Sequence, residues 1–255
     1  MSIEMIDPRL EKRFVNSIEY LRKMDFFKDY SNLSSKEIFE RILNGEMDYE
    51  TKWFAEKWSE EERKWERKLL KKMLGAETHG QFLKESLESS TEYWMKASEY
   101  EVDFEIARFD IYRVFLEDPE TVIKDGICEA IVKKLARVSR GFFSPTDIKG
   151  EILDWRDEPP PELKQELKGL ISPQGYIFKV NFKFRGKEYV AEFYSNADYL
   201  YMDLFVRKVN ELIKDTGYQY YWPRYLHIEY LVYMVFSEDE ARKLKKERNW
   251  KLSLP

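Results

Sequence analysis

The chain has 255 residues, of which 43% are hydrophobic, 36% charged and 16% aromatic, and its formal net charge is −5. This composition excludes a wholly disordered chain and predicts a globular protein with one large or two moderate domains. The single cysteine, Cys128, excludes an intrachain disulfide, and no apolar run approaches the roughly twenty residues that a membrane helix requires.

The same sequence gives expectations about compartment and charge. The stretch MSIEMIDPRLEKRF has acidic residues where a signal peptide would have basic ones, so we expect a cytoplasmic protein. The many Glu and Lys residues are typical of thermophile proteins. All of the net charge lies in residues 1–143, because residues 144–255 are neutral overall, and no continuous basic stripe for phosphates is visible.

Residues 1–143 predict an all-α domain. Asp7 is a helix cap and Pro8 opens the first helix. The stretch SSKEIFERILNG predicts a second helix that ends at Gly45. The stretch YETKWFAEKWSEEERKWERKLLKKMLG predicts a third. Its tryptophans could stack on a ligand, but aromatics at helical spacing favour core anchors; they are Trp53, Trp58 and Trp65.

Two further helices complete this domain. In residues 100–116 the apolar positions fit both a strand period and a helix period. We predict a helix there, because no adjacent run offers a strand to pair with. Asp118 and Pro119 then predict the start of another helix, which continues toward Gly141.

Residues 144–175 predict a connector, since they are rich in proline and glycine and include three consecutive prolines at 159–161. One short helix is expected within it, at about Glu162 to Lys168.

Residues 176–255 predict a small α+β domain. In YIFKVNFKFRGKEYVAEFY, apolar and polar residues alternate about a two-residue turn at Arg185 and Gly186, which predicts a hairpin. A helix is expected from about Asp198 to Lys214, and a second strand pair with its turn at Pro223 and Arg224. A capping box, Ser237 with Glu240, opens a last helix.

The predicted fold class is therefore α+β. An all-helical N-terminal region precedes a β-β-α-β-β-α domain with a four-stranded antiparallel sheet.

Motifs for catalysis are absent from the sequence. It contains no glycine-rich phosphate loop, no paired metal-ligand histidines, no CxxC and no serine-nucleophile elbow. We therefore predict no catalytic residue, no cofactor and no metal ligand.

Three sets of reactive groups have a functional and a structural interpretation. His227 and Glu229 could form an acid–base pair, but a surface contact is favoured, and Cys128 is expected to be a buried, inert thiol. The other histidine, His79, is expected in a loop. Carboxylates near residue 105 could bind Mg²⁺, although a solvated helix face is favoured; they are Asp103 and Asp110, with Glu101 or Glu105.

The most promising binding surface lies beside the predicted turn at Pro223. Turn-flanking aromatics with an arginine suit a contact with a partner. The predicted partner-binding residues are Trp222, Arg224, Tyr225, His227 and Glu229. The alternative is that Trp222 and Tyr225 lie against the terminal helix near Trp250 and seal the domain.

Three functional hypotheses follow. The first is a non-enzymatic cytoplasmic interaction or regulatory protein that binds a protein partner or a second copy of itself. The second is a nucleic-acid-associated protein, which the net charge disfavours. Its contacts would come from Arg242, Lys243, Lys245, Lys246 and Arg248. The third is a carboxylate-based, metal-dependent enzyme.

Overall fold

The computed structural model describes residues 6–47, 78–117, 126–155, 175–196, 199–224 and 231–255. The chain divides into two compact units. We call Met1–Val114 with Leu244–Trp250 the helical unit, and Phe115–Lys243 with Lys251–Pro255 the mixed unit.

The helical unit confirms the helical N-terminal region. Its first two helices begin at predicted caps: the Asp7 carboxylate accepts the Arg9 N–H at 2.8 Å, and Ser34 with Glu37 forms a capping box. The helices are α1 (Pro8–Arg22), α2 (Ser35–Leu43), α3 (His79–Ser89), α4 (Thr91–Lys96) and α5 (Glu99–Ala107). The predicted third helix, with Trp53, Trp58 and Trp65, lies outside the described residues.

The core of the helical unit forms around α1. The Phe14 ring stacks on Phe39 of α2 at 5.6 Å and meets the edge of Trp94 of α4 at 5.5 Å. Leu10, Ile18 and Leu21 lie on the same face of α1 and are fully buried. The helical spacing in the sequence therefore identified the buried face of α1 correctly.

The helix predicted over residues 100–116 is shorter than expected. The helix α5 ends at Ala107, and residues Val114–Glu117 form a strand, β1, which is buried along its whole length. In its sheet β1 lies next to a strand more than a hundred residues later in the sequence. Because that partner is so distant, no local pattern could reveal it.

The following helix, α6 (Ile127–Val138), also begins later than predicted. Gly126 immediately before it has φ +80°, a left-handed conformation that a continuous helix cannot contain. The predicted start at Asp118 and Pro119 lies outside the described residues.

The predicted connector, residues 144–175, contains a strand in its first third. Strand β2 (Thr146–Trp155) pairs antiparallel with β3. Ile148 and Ile152 alternate with charged residues and pack on the core, a pattern that the central Gly150 disguised. The predicted short helix lies outside the described residues.

The predicted hairpin is confirmed residue by residue. Strand β3 (Gly175–Phe184) pairs with β4 (Lys187–Asn196), so that Phe178 faces Phe193 and Lys183 faces Glu188. Arg185 and Gly186 both have positive φ, as a tight two-residue turn requires. With β5 (Tyr199–Tyr201), these strands form an antiparallel sheet in the order β2-β3-β4-β5.

The helix predicted from Asp198 starts later. The short strand β5 precedes α7, which runs from Asp203 to Ile213. Its apolar face is buried as predicted, with Phe205, Val206 and Val209 at 1% exposure or less.

The remaining strands form a second sheet, in the order β1-β7-β6-β8, instead of joining the first hairpin in one sheet. They are β6 (Tyr218–Pro223), β7 (Leu231–Ser237) and β8 (Leu252–Ser253). Tyr218 pairs with Ser237 and Tyr221 with Met234, and Pro223 is itself the last residue of β6. The predicted two-residue turn at Pro223 and Arg224 is therefore wrong: the pairing that buries Tyr220 and Val235 fixes a different register.

The α+β class is confirmed, with a core in the mixed unit that draws on both sheets and on α6 and α7. Tyr220 is fully buried, and its hydroxyl donates to the Leu135 carbonyl of α6 at 2.7 Å. The last helix, α8 (Glu238–Arg248), has its predicted capping box, Ser237 with Glu240. In the described part of the chain, no helix has the length and apolar character needed to cross a membrane.

A close contact between β2 and α6 gives a testable prediction. A Cβ atom at Gly150 would lie 2.2 Å from the Cys128 Cβ and 2.7 Å from its Sγ. The Gly150 N–H donates to the Glu129 carboxylate at 2.7 Å, which holds the strand at this distance. We expect Gly150→Ala to destabilise the mixed unit by about 1–3 kcal/mol, the usual cost of overpacking, as a lower midpoint in urea unfolding.

The neighbouring Lys149→Ala is the matched control, because Lys149 is exposed and its substitution should change stability by about 0.5 kcal/mol at most. A Gly150→Ala midpoint equal to that of the wild type would show that the strand moves away from Cys128 at no cost.

Candidate functional site

Trp222 and Arg224 lie together at the end of β6. On one edge of β6, Trp222 pairs with Ser253 of β8, and the Arg224 N–H donates to the Lys251 carbonyl at 2.7 Å. Residues two apart share a strand face, and the Arg224 guanidinium carbon lies 6.0 Å from the Trp222 ring centroid. Of Trp222, 40% is exposed, and Arg224 is exposed as well.

This pair is the part of the predicted partner-binding surface that the structure describes. We call it the Trp222–Arg224 surface. Tyr225, His227 and Glu229 lie outside the described residues, so their places in this surface stay predictions.

Trp250, in contrast, is a core residue of the helical unit. It is 2% exposed, and its ring lies 5.3 Å from Tyr100 and 6.3 Å from Phe104, both on α5. Its indole N–H donates to the Asp103 carboxylate at 3.2 Å. The indole is thus packed and hydrogen-bonded within the helical unit.

The predicted nucleic-acid-binding residues on α8 have different environments. Arg242 pairs with Glu238 at 3.2 Å and Asp239 at 2.9 Å, both on its own helix. The Arg248 guanidinium lies over the Tyr20 ring at 4.0 Å and pairs with Glu99. The exposed lysines are Lys243, Lys245 and Lys246. Arg248 therefore contacts Tyr20 and Glu99 of the helical unit, which makes it unsuited to bind phosphate.

The carboxylates on α5 and just after it are not the solvated face that the sequence favoured. Asp103 is fully buried, Asp110 is 4% exposed and Glu105 is 8% exposed. The apolar residues on both sides of the helix explain this, because a helix that is apolar all round is buried. The competing periods in residues 100–111 were the signal in the sequence that could have identified these buried acids.

A polar cluster surrounds Asp103. Its carboxylate accepts a hydrogen bond from the Ser17 hydroxyl at 2.7 Å and lies 3.8 Å from the Arg248 Nε. The Tyr20 hydroxyl donates to Glu247 at 2.9 Å. We call this group the Asp103 cluster; its members are Ser17, Tyr20, Glu99, Asp103, Glu247, Arg248 and Trp250.

Burial has the largest effect on the pKa of Asp103 and of Tyr20 in this cluster. It raises the pKa of Asp103 from 3.8 to about 6, against the opposing effects of the Ser17 hydrogen bond and the Arg248 charge. Burial and the hydrogen bond to Glu247 raise the pKa of Tyr20 as well, so its hydroxyl stays protonated. Asp103 is thus a carboxyl group that changes charge near neutral pH.

Asp110 and Glu105, the two other buried acids near residue 105 in the described residues, have separate partners. Asp110 accepts the Phe27 N–H at 2.5 Å and the Tyr112 N–H at 3.1 Å, and burial raises its pKa to about 6. Glu105 forms an ion pair with Arg108. Among the residues that the structure describes, no three acidic, histidine or cysteine side chains form a group that could hold a metal ion.

The histidine and cysteine of the described core are buried. His79 is the first residue of α3 rather than a loop residue, and burial lowers its pKa to about 3, which keeps the imidazole neutral. Cys128 is buried on α6, as predicted, and burial raises its pKa to about 12. Its thiol is therefore protonated at neutral pH and unsuited to act as a nucleophile.

No family model matches the chain, and neither does any curated protein or any solved structure. Function is therefore inferred from the exposed and buried groups described above.

Proposed function

We propose that the protein is a non-enzymatic cytoplasmic interaction or regulatory protein, and that its Trp222–Arg224 surface contacts a protein partner or a second copy of the chain. The observation that carries this proposal is the 40% exposure of Trp222 beside an exposed arginine. Tryptophan and arginine are the residues that most often anchor protein interfaces.

The contrast with Trp94 and Trp250, the two other tryptophans whose side chains the structure describes, supports this proposal. Trp94 is 6% exposed and donates its indole N–H to the Ser86 hydroxyl, and Trp250 is 2% exposed and bonds to Asp103. Both are held by their own unit. Trp222 instead keeps a large amphipathic ring at the surface, which a partner could bury.

The surroundings of Trp222 add apolar area at the same edge. Strand β8 pairs with β6 only at Trp222 and Pro223, and Leu254, the residue after β8, is 56% exposed. An apolar group next to an arginine matches the usual composition of an interface centre.

Nucleic-acid binding is the weaker proposal. The lysines of α8 that could contact phosphates are exposed, but Arg242 and Arg248 are paired with carboxylates. Retardation of DNA or RNA at about 50 mM salt, where phosphate contacts are strongest, would favour it.

The test is a double substitution, Trp222→Ala with Arg224→Ala. We expect self-association in light scattering, or capture of a specific partner from the native lysate, to fall at least about tenfold, which corresponds to about 1.4 kcal/mol of interface energy. The melting temperature should change little, because both side chains are exposed.

Tyr112→Ala is the matched control. Tyr112 is 45% exposed, lies in the helical unit and contributes only its backbone N–H to Asp110, so its truncation should affect neither binding nor melting. A strictly monomeric wild-type protein that captures no partner, or a double variant that binds as well as the wild type, would contradict the proposal.

A further inference from the structure

Residues 244–250 turn into the helical unit at the end of α8. Asn249 has φ +56°, a left-handed conformation that ends the helix and that asparagine adopts more readily than most residues. The Trp250 N–H then donates to the Leu244 carbonyl at 3.3 Å. This turn brings Trp250 onto Tyr100 and Phe104 of α5.

Polar contacts to two helices hold the same segment. Glu247 accepts from the Tyr20 hydroxyl of α1, and Arg248 stacks on the Tyr20 ring and pairs with Glu99 at the start of α5. Asp103, in the middle of α5, accepts from Trp250. Asp103 is the one fully buried carboxyl group among these described contacts.

Among the residues that the structure describes, the charges around Asp103 do not balance. The charged groups on α1, α5 and residues 244–250 that contact the cluster are Arg13, Glu99, Asp103, Glu247 and Arg248. Three carboxylates thus face two guanidinium groups. Arg248 divides its charge between Glu99 and Asp103, and the Ser17 and Trp250 donors are neutral. An ionised Asp103 is therefore only partly compensated.

We propose that residues 244–250 form a pH-sensitive latch within the helical unit, which docks most tightly on α1 and α5 when Asp103 is protonated and loosens when Asp103 ionises. Docking removes Asp103 from water and so favours its neutral form. Undocking admits water to the carboxyl group and so favours its charged form.

The sign of the pH dependence follows from linkage. The docked state raises the pKa of Asp103 from 3.8 to about 6, so it binds the proton more tightly than a state in which Asp103 is hydrated. Docking is therefore strongest below about pH 4, weakens between about pH 4 and 6, and is constant above this range. The total change in the docking equilibrium is at most about 150-fold, since each pKa unit corresponds to a factor of about ten.

One NMR experiment on the indole N–H of Trp250 measures both the ionisation of Asp103 and the undocking of residues 244–250. In ¹⁵N-indole-labelled full-length protein, its chemical shift should titrate with Asp103, with a midpoint near pH 6. Its solvent-exchange rate, corrected for the intrinsic pH dependence, should rise 10- to 100-fold, as an estimate, from pH 4 to pH 7.5. Trp250→Phe identifies the resonance. Trp94, which donates to the Ser86 hydroxyl, is an internal control expected to show neither effect.

Two substitutions of the cluster separate the latch from general pH effects. Asp103→Asn cannot ionise, so both pH dependences should disappear. Ser17→Ala removes a donor that stabilises the charged carboxylate, so the midpoint should move to higher pH. Asp147→Asn is the matched control, because the Asp147 carboxylate is exposed and paired with Lys183.

The proposal is overturned if corrected exchange at Trp250 is the same at pH 4 and pH 7.5 in the wild type. Persistence of the pH dependence in Asp103→Asn would also overturn it. If Asp103→Asn does not fold, Ser17→Ala decides: an unchanged or lower midpoint assigns the titration to another group.

Discussion

Val232→Asp is expected to unfold the mixed unit. Val232 lies on β7 and is 2% exposed. Met234 and Phe236, which lie on the same face of β7, are fully buried, so the carboxylate would enter an apolar face. Burial of a charge without a partner costs about 4 kcal/mol or more, a large fraction of the stability of a domain. Near-UV circular dichroism and the midpoint of urea unfolding would measure the loss.

The same substitution at Val190 is the matched control. Val190 lies on β4 opposite Asn181 and is 51% exposed, so a carboxylate there stays in water. Val190→Asp should change the unfolding free energy by about 0.5 kcal/mol or less. Equal losses in the two variants would mean that the buried face of β7 is not packed as described.

Trp250→Ala should destabilise the helical unit strongly. The substitution removes a fully buried ring from Tyr100 and Phe104 and deprives Asp103 of a hydrogen-bond donor. Truncation of a buried tryptophan costs about 3–5 kcal/mol, and the weakened solvation of Asp103 adds to this. Urea unfolding followed by far-UV circular dichroism would show the lowered midpoint.

Trp222→Ala provides the comparison for Trp250. It removes the same side chain from a site with 40% exposure, so we expect a loss of about 1 kcal/mol or less. The loss of stability for Trp250→Phe should fall between those for Trp222→Ala and Trp250→Ala, because phenylalanine keeps an aromatic ring but lacks the indole N–H. A loss for Trp222→Ala as large as that for Trp250→Ala would show that Trp222 seals its unit, and would contradict the proposed surface.

The sequence predicted correctly those helix caps and turns that depend on residues close together in the chain. The caps at Asp7, Ser34 and Ser237 depend on side chains within three residues of the helix start. The β3–β4 hairpin was predicted in full register, because the two-residue turn at Arg185 and Gly186 fixes every pair that follows.

Tertiary structure decided which strands pair at long range. β1 and β2 come from segments predicted as a helix and as a connector, and each acquires its strand conformation beside a partner distant in sequence. The same effect divided the predicted strands between two sheets. It also set the register of β6 against β7, because Tyr220 and Val235, which pair, are both core residues.

Tertiary structure also decided the charge state and role of the acids on α5. The sequence shows Asp103 among apolar residues but does not show that Ser17 and Trp250 approach it from segments 86 and 147 residues away. Burial raises the pKa of Asp103, and segments remote in sequence exclude water from it. The sequence by itself therefore determined α1, α2 and α8 with their caps and one hairpin. The folded chain alone determined the second sheet and the buried Asp103 cluster, since both depend on contacts between remote residues.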